Sequence, residues 1–379
     1  MRPDTHCLHT GIEVDARTGA ASVPIYQAST FHQADFDHPP QYDYARSGNP
    51  TRAAVEAAIA SLEGASRGFA FASGMAAITS VLLTLPAGSH IVACDDLYGG
   101  TFRALTRVFS RLNIATTFVD ATKIEQIAAA IRPQTRALYL ETPSNPLLQI
   151  IDLRAASALA REHGLITIVD NTFMSPYLQK PHELGIDIVI HSATKFLGGH
   201  SDLVAGVATV CSEKLAEEIY LIQNGFGSIL GPHDSWLLLR GLKTLAVRMR
   251  QGQSSATEIA HYLANHEKVK QVFYPGLDSH PGHAIHKEQA KGPGAILSFD
   301  IGKEDAVRQL VSYLRLPIFA VSLGAAESIL SYPARMSHAS MPAAERAQRG
   351  IGEGLLRLSV GLEDSADLLE DLQQALSRI

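Results

Sequence analysis

Three short runs constrain what this chain can fold into: ALYLE at 137–141, LITIVD at 165–170 and IDIVI at 186–190. Each is almost wholly apolar and shorter than an ordinary helix, and the second and third are rich in β-branched residues. A strand without a polar face is buried on both sides, the condition of a parallel sheet covered by helices. Between the first two runs, Asp152 is placed to cap a helix that reaches His163 and stops at Gly164. Upstream, Asn49-Pro50 opens another helix, with Asn as cap and Pro in the first turn, and its alanine-rich body ends at Gly64. Ala70–Ala72 predicts a strand and Gly74–Leu85 a helix ended by Pro86. His90–Cys94 and Ala115–Val119 predict strands flanking a helix near Gly100–Leu112. Strand and helix thus alternate from about residue 50 to 211, which means an α/β class with a mainly parallel sheet.

Beyond Cys211 the rhythm changes. Residues 212–266 are mostly helical, broken by NGFGSILGP at 224–232, and 294–379 mix strand-like AILSFDI (295–301) and LRLSVGL (356–362) with two helices. The first 45 residues show little periodicity. The expected organisation is an N-terminal arm over 1–47 that contacts a neighbouring subunit, a large α/β domain over 48–240 and a smaller α+β domain over 241–379.

Composition narrows the classes. The chain has 379 residues, of which 46% are of the AVILMFWYC set and 18% are charged; globular domains are usually about 25% charged. A disordered chain is excluded, and the low charge points to a large core or to surface that another subunit covers. With a net charge of −6 and no long basic run, binding nucleic acid or acidic lipid through a charged face is not expected. MRPDTHCLHTG has no apolar signal-peptide core, and no run approaches the about 18 apolar residues that cross a bilayer. Cys7, Cys94 and Cys211 are odd in number and far apart, which argues against a disulfide framework or a Cys-based zinc site. A reduced, cytoplasmic compartment is the expectation.

In open α/β sheets ligands sit beyond the C-terminal ends of the strands. Three features lie there: Asp170 closing LITIVD, Lys195 in Ser192-Ala193-Thr194-Lys195 after IDIVIHS, and Ser73-Gly74-Met75 at a helix N-terminus suited to an anion. Taken singly, they fit a turn aspartate, a surface lysine and a plain helix cap. Together, a carboxylate, a lysine and an anion site at one sheet edge are what pyridoxal phosphate requires. The hydroxyls of Ser192 and Thr194 are within reach of the same phosphate. Tyr98 follows a strand in DDLYGGT, where a phenol can stack on a cofactor ring and Gly99-Gly100 allow close backbone approach. Arg357, inside an apolar strand pattern, needs a carboxylate partner, either internal or a substrate's.

YARSGNPTR (44–52), DLYGGTFR (96–103), ETPSNPLL (141–148), VDNTF (169–173), HSATKFLGGHSD (191–202) and RLSVGLEDSADLLEDL (357–372) come in that order along the chain. On them the chain resembles the cysteine/methionine-metabolism family of pyridoxal-phosphate enzymes, which includes cystathionine γ-lyases, β-lyases and γ-synthases and methionine γ-lyases. The resemblance implies the type I, aspartate aminotransferase-like fold and a homotetramer of two dimers that share active sites. It makes Lys195 the Schiff-base lysine, Asp170 the partner of the pyridine nitrogen and Tyr98 the stacking ring. Gly74, Met75, Ser192 and Thr194 would hold the phosphate, joined by Tyr44 and Arg46 of a neighbouring subunit. Arg357, Asn145 and Ser322 would take the substrate's α-carboxylate.

Within that family, Arg103 matches an arginine for the distal carboxylate of cystathionine, and Asp43 an acidic position near its distal amine. Methionine γ-lyases typically have Cys where this chain has Gly100. Val321 departs from the pattern, since strict γ-lyases and γ-synthases generally carry Glu before that serine. The expectation is a lyase that cleaves L-cystathionine by γ-elimination, with β-elimination and cysteine or homocysteine desulfhydration beside it. Cystathionine β-lyase, γ-synthase and methionine γ-lyase are the alternatives, in that order.

Two other classes fit less well. His280, His283 and His286 have the spacing of one helical face, but Pro281-Gly282 breaks a helix there and no Cys or acid completes a metal set. A dinucleotide-binding oxidoreductase would need a G-x-G-x-x-G after its first strand, and none is present.

Overall fold

The computed structural model describes residues 1–11, 14–339, 341 and 343–379. Among them, seven strands form one sheet: β1 (Arg67–Phe71), β2 (His90–Cys94), β3 (Ala115–Val119), β4 (Thr135–Glu141), β5 (Ile166–Asp170), β6 (Ile188–His191) and β7 (Gly206–Val210). Their spatial order is β1-β7-β6-β5-β4-β2-β3. β2 through β6 pair in parallel, while β7 runs antiparallel to both β1 and β6. Reversing β7 leaves β1 pointing the same way as β6, so six strands end at one edge. β2 and β7 are buried at every position, which explains their lack of a polar face.

The helices follow the local signals. The helix α1 (Pro3–His9) lies in the stretch without periodicity and is a correction to that reading. Its Cys7 packs with Val55, Ala58 and Met249, and Tyr177 donates to its Asp4 at 3.0 Å, so it is seated on its own chain. One buried residue in seven is too little for a periodic signature. The helix α2 (Pro50–Glu63) has the expected ends: Asn49 Oδ1 accepts from the N–H groups of Thr51 and Arg52, and Gly64 closes it at φ +74°.

β1 begins three residues before the expected Ala70 and takes in Gly68. In the fold that glycine lets α2 approach, since a Cβ there would lie 2.9 Å from Ile59 and collide with the Glu56 carbonyl. The helix α3 (Gly74–Leu82) stops short of Leu85. The helix expected near 100–112 is two pieces, α4 (Gly99–Arg107) and a 3₁₀ turn at Phe109–Leu112 that buries Phe109. A short helix α5 (Ile124–Ala130) joins β3 to β4, and α6 (Leu153–Glu162), capped by Asp152, joins β4 to β5.

The C-terminal part builds a second sheet from β8 (Gln271–Phe273), β9 (Ile296–Asp300), β10 (Ile318–Phe319), β11 (Ile329–Ser331) and β12 (Leu355–Ser359), in the order β10-β11-β12-β9-β8. Helices Leu245–Ala264, Glu304–Tyr313 and Ser365–Leu376 cover it around a core that includes Leu263, Phe299 and Leu358. The fold class is as expected: a mainly parallel sheet covered by helices, followed by a smaller, mainly antiparallel sheet with helices. His280, His283 and His286 do not share a helix, which starts only at His283. His283 and His286 each lie within hydrogen-bonding distance of a backbone carbonyl, and Nδ1 of His280 accepts from Gly282. Among the described residues no helix is long and apolar enough to cross a membrane.

Candidate active site

A cavity of about 450 Å³ opens between the shared strand edge and the second sheet. It is lined by Gly74, Met75, Tyr98, Asn145, Asp170, Ser192, Thr194, Lys195, Val321, Ser322 and Arg357, eleven of the residues singled out from sequence. They come from the ends of β1, β2, β4, β5 and β6 and from the second sheet, and they meet because the parallel strands all end at one level.

Lys195 is largely buried, and its Nζ donates to Ser322 Oγ at 2.6 Å. Burial, and secondarily the charge of Arg357, lowers its pKa to about 8. Asp170 is buried at the end of β5, where its Oδ1 accepts from the N–H of Thr172 at 3.0 Å and from its hydroxyl at 2.5 Å. Burial raises the Asp170 pKa, opposed by those two bonds and by the charge of His191. Behind it, the buried His191 Nε2 lies 2.5 Å from Glu63 Oε1. Glu141 stands opposite Asp170 in the β4/β5 register and accepts from the Tyr98 N–H at 2.9 Å. Burial and then Asp170's charge push Glu141 well above the usual carboxylate range. Glu141 is pushed up the further of the two, because Asp170 accepts two hydrogen bonds from Thr172 that favour its charged form.

Arg357 on β12 is buried; Nη1 donates to Asn145 Oδ1 at 2.8 Å, and Nη2 to the Ser322 carbonyl at 2.7 Å and to Ser331 Oγ at 3.1 Å. Its Nε has no partner among the described residues, a donor left over for a carboxylate. Ser322 sits at φ +91°, a strained conformation for a residue with a side chain, and its bonds to Arg357 and Lys195 hold it there. At the opposite wall, Ser73 Oγ caps α3 by accepting from Ala76 N–H, and the remaining first-turn N–H groups face the cavity end. A Cβ on Gly74 would stand 2.9 Å from Ser192, so glycine permits that approach. The Thr194 hydroxyl donates to the Ala205 carbonyl at 3.1 Å and accepts from Ala205 N–H at 3.0 Å, which spends its proton within the loop.

Four candidates lie outside the cavity. Asp43, Tyr44 and Arg46 are on the N-terminal stretch, where Arg52 donates to the Ala45 and Arg46 carbonyls at 2.7 and 3.0 Å and the Arg46 guanidinium lies 5.6 Å from the Tyr44 ring centre. Arg103 lines a neighbouring groove with Arg107 and Arg111. Gly100 has a role other than the close ligand approach expected: a Cβ there would strike the Tyr98 ring and come within 3.0 Å of Met75 Sδ. Sequence reasoning quoted the motifs holding Glu141 and Thr172 without assigning either a role. A carboxylate at a strand end in ETPSNP and a hydroxyl two residues after Asp170 were the available signals.

The chain matches the family of Cys/Met metabolism PLP-dependent enzymes over residues 4–377. It is 54% identical over 376 residues to a cystathionine beta-lyase MetC of Bacillus subtilis, covering 99% of this chain and 96% of that one. It is 51% identical over 379 residues to a cystathionine gamma-lyase of the same organism, with full coverage of both. The solved structure of cystathionine gamma-lyase from Lactobacillus plantarum, complexed with L-serine, superposes with a TM-score of 0.97 at 48% identity, covering 100% of this chain and 99% of that one. The lysine, the buried carboxylate and the helix N-terminus therefore stand in a known setting, and the chain belongs to the Cys/Met metabolism family of pyridoxal-phosphate-dependent enzymes.

Proposed function

We propose that this enzyme cleaves the carbon–sulfur bond of L-cystathionine by γ-elimination, taking up water to yield cysteine, 2-oxobutyrate and ammonia. The observation that carries the reading is the pair formed across the cavity by the partly neutralised Lys195 and the cationic Arg357, both bonded to Ser322. The residues present fit the family's cofactor. The N-terminus of α3 with Ser192 suits a phosphate, Asp170 suits a protonated ring nitrogen, and Lys195 lines the same cavity with Arg357. Bound pyridoxal phosphate supplies the electron sink for charge left on the substrate's α-carbon.

The chain's own groups do the rest. Arg357, through Nε and with Asn145 beside it, holds the α-carboxylate and so aims the α-hydrogen. Lys195 Nζ, neutral above pH about 8, takes that proton and passes protons between the α, β and γ positions until the thiolate leaves. Asp170, kept ionised by Thr172, holds negative charge at the floor. Tyr98 covers the ring and excludes water. Arg103 and Asp43, although outside this chain's own cavity, carry the charges that suit the distal carboxylate and amine of cystathionine and have nothing to bind on a thioether methyl.

A second reading, β-elimination to homocysteine, pyruvate and ammonia, is favoured by Val321. It is exposed at the cavity mouth and, being apolar, offers the distal amine no acid at that position. The 54% identical relative is named a beta-lyase. Desulfhydration of cysteine and homocysteine would follow from the same loose mouth. The proposed assembly is a cytoplasmic homotetramer in which Tyr44 and Arg46 reach a neighbour's phosphate site. Their absence from their own chain's cavity supports it, as does the 47% exposure of Tyr44. Residues 1–47 would then be the intersubunit arm, 48–240 the cofactor domain and 241–379 the smaller domain. Incubation with L-cystathionine tests the reaction: 2-oxobutyrate is expected, and pyruvate alone would establish the second reading. Neither product, with cystathionine formed from an O-acylhomoserine and cysteine, would overturn both.

A further inference from the structure

We propose that Thr172 is a positioning residue that joins the floor carboxylate to the lysine loop, so that Asp170 and Lys195 keep one spacing and Asp170 keeps its charge. This rests on the roles given above to those two residues.

The reason lies in how two parallel strands end. β5 and β6 pair through Asp170↔Ile190, and the ladder continues one step further, with Asn171 N–H donating to the Ile190 carbonyl at 2.9 Å. There the chain after β5 turns away, Met174 and Ser175 both donating back to the Asn171 carbonyl. Ser192 N–H is thereby denied a main-chain partner on β5, and Thr172 Oγ accepts it instead at 2.8 Å. A side-chain hydroxyl thus replaces the missing carbonyl of the ladder.

That hydroxyl has one proton. Ser192 N–H can only donate, so the proton points to Asp170 Oδ1, 2.5 Å away, which must be an acceptor for the bond to exist. The linkage runs on in both directions from Ser192. Its carbonyl accepts from Lys195 N–H at 3.1 Å, and its side chain abuts Gly74 at the start of α3. The carboxylate therefore bonds the Thr172 oxygen directly, and the lysine loop and the helix N-terminus are tied to it through Ser192. Valine has the shape of threonine and neither bond. Serine retains both bonds.

Titration of the apoenzyme with pyridoxal phosphate tests this, in the full-length protein, by cofactor absorbance and protein fluorescence. Thr172→Val is expected to raise the dissociation constant about tenfold or more, as for loss of a charge-assisted hydrogen bond. The difference should widen from about pH 8 to about pH 6, where a buried carboxylate without its donor loses its charge first. Thr172→Ser should stay within about threefold of wild type, and in an Asp170→Asn background Thr172→Val should change affinity by less than about threefold. Wild-type affinity in Thr172→Val, or a difference that is flat with pH, would overturn the proposal. Should Thr172→Val fail to fold, as judged by circular dichroism, Thr172→Ala replaces it with the same expected and overturning results. If Asp170→Asn and Lys195→Ala bound the cofactor as wild type does, the roles beneath the proposal would fall, and it with them.

Discussion

The floor of the cavity and its mouth are built from different material. Asp170, Glu141, His191 and Arg357 are all buried on strands, and each is engaged by a neighbour at a defined distance. Val321, Tyr98 and Arg103 lie on loops or a helix surface, and Val321 is 63% exposed. A buried charge without a partner is costly, so the floor admits few substitutions, whereas an exposed residue at the mouth is nearly free to vary. The chemistry common to a family belongs on the floor, and the choice among its substrates belongs at the mouth.

Substitutions at the two levels should separate accordingly. The largest effect is expected at Lys195: Lys195→Ala should lower kcat about 10³-fold or more and abolish the visible absorbance of the bound cofactor, measured by steady-state assay and spectrum. Retention of both would break the contrast at its centre. Next, Arg357→Ala should raise KM for amino-acid substrates about 100-fold while also reducing the yield of folded protein, because Asn145 and the Ser322 carbonyl lose their donor.

A smaller effect concerns stability of the apoenzyme. Burial holds Lys195 at about 8 in the folded chain against the ordinary lysine value of 10.5, so between those values only the unfolded chain binds the proton. Stability should therefore rise as pH increases through that window, by about 3 kcal/mol from this group. Lys195→Met should flatten that rise, as urea unfolding across the range would show. The smallest effect is at the mouth. Val321→Glu should leave unfolding unchanged within about 0.5 kcal/mol and shift the ratio of 2-oxobutyrate to pyruvate upward by a few-fold. An equal loss of stability in Val321→Glu and in the floor variants would erase the distinction.

Much of the floor was legible in advance because strand ends announce themselves. Asp170 and Lys195 follow short apolar runs, and Ser73-Gly74 precedes a helix, so the strand-edge rule brought them together before any coordinates. Thr172 and Glu141 were not legible as participants. A hydroxyl that completes a ladder between two strands has no local signature, and a strand-end glutamate resembles any turn residue until its neighbour across the register is known. The start of β1 was not legible for a similar reason, since what admits Gly68 to the strand is the helix that presses against it.

By itself the sequence determined what depends on local periodicity and local chemistry: the alternation of strand and helix, the caps at Asn49 and Asp152, the double burial of the central strands and the residue types at their ends. The tertiary structure alone decided what depends on separation in space. It set Glu141 against Asp170, Ser322 between Lys195 and Arg357, and Thr172 beneath Ser192. Those contacts join segments as far apart as residues 195 and 322. Ionisation and hydrogen bonding respond to distance and burial, which the order of residues along a chain does not contain.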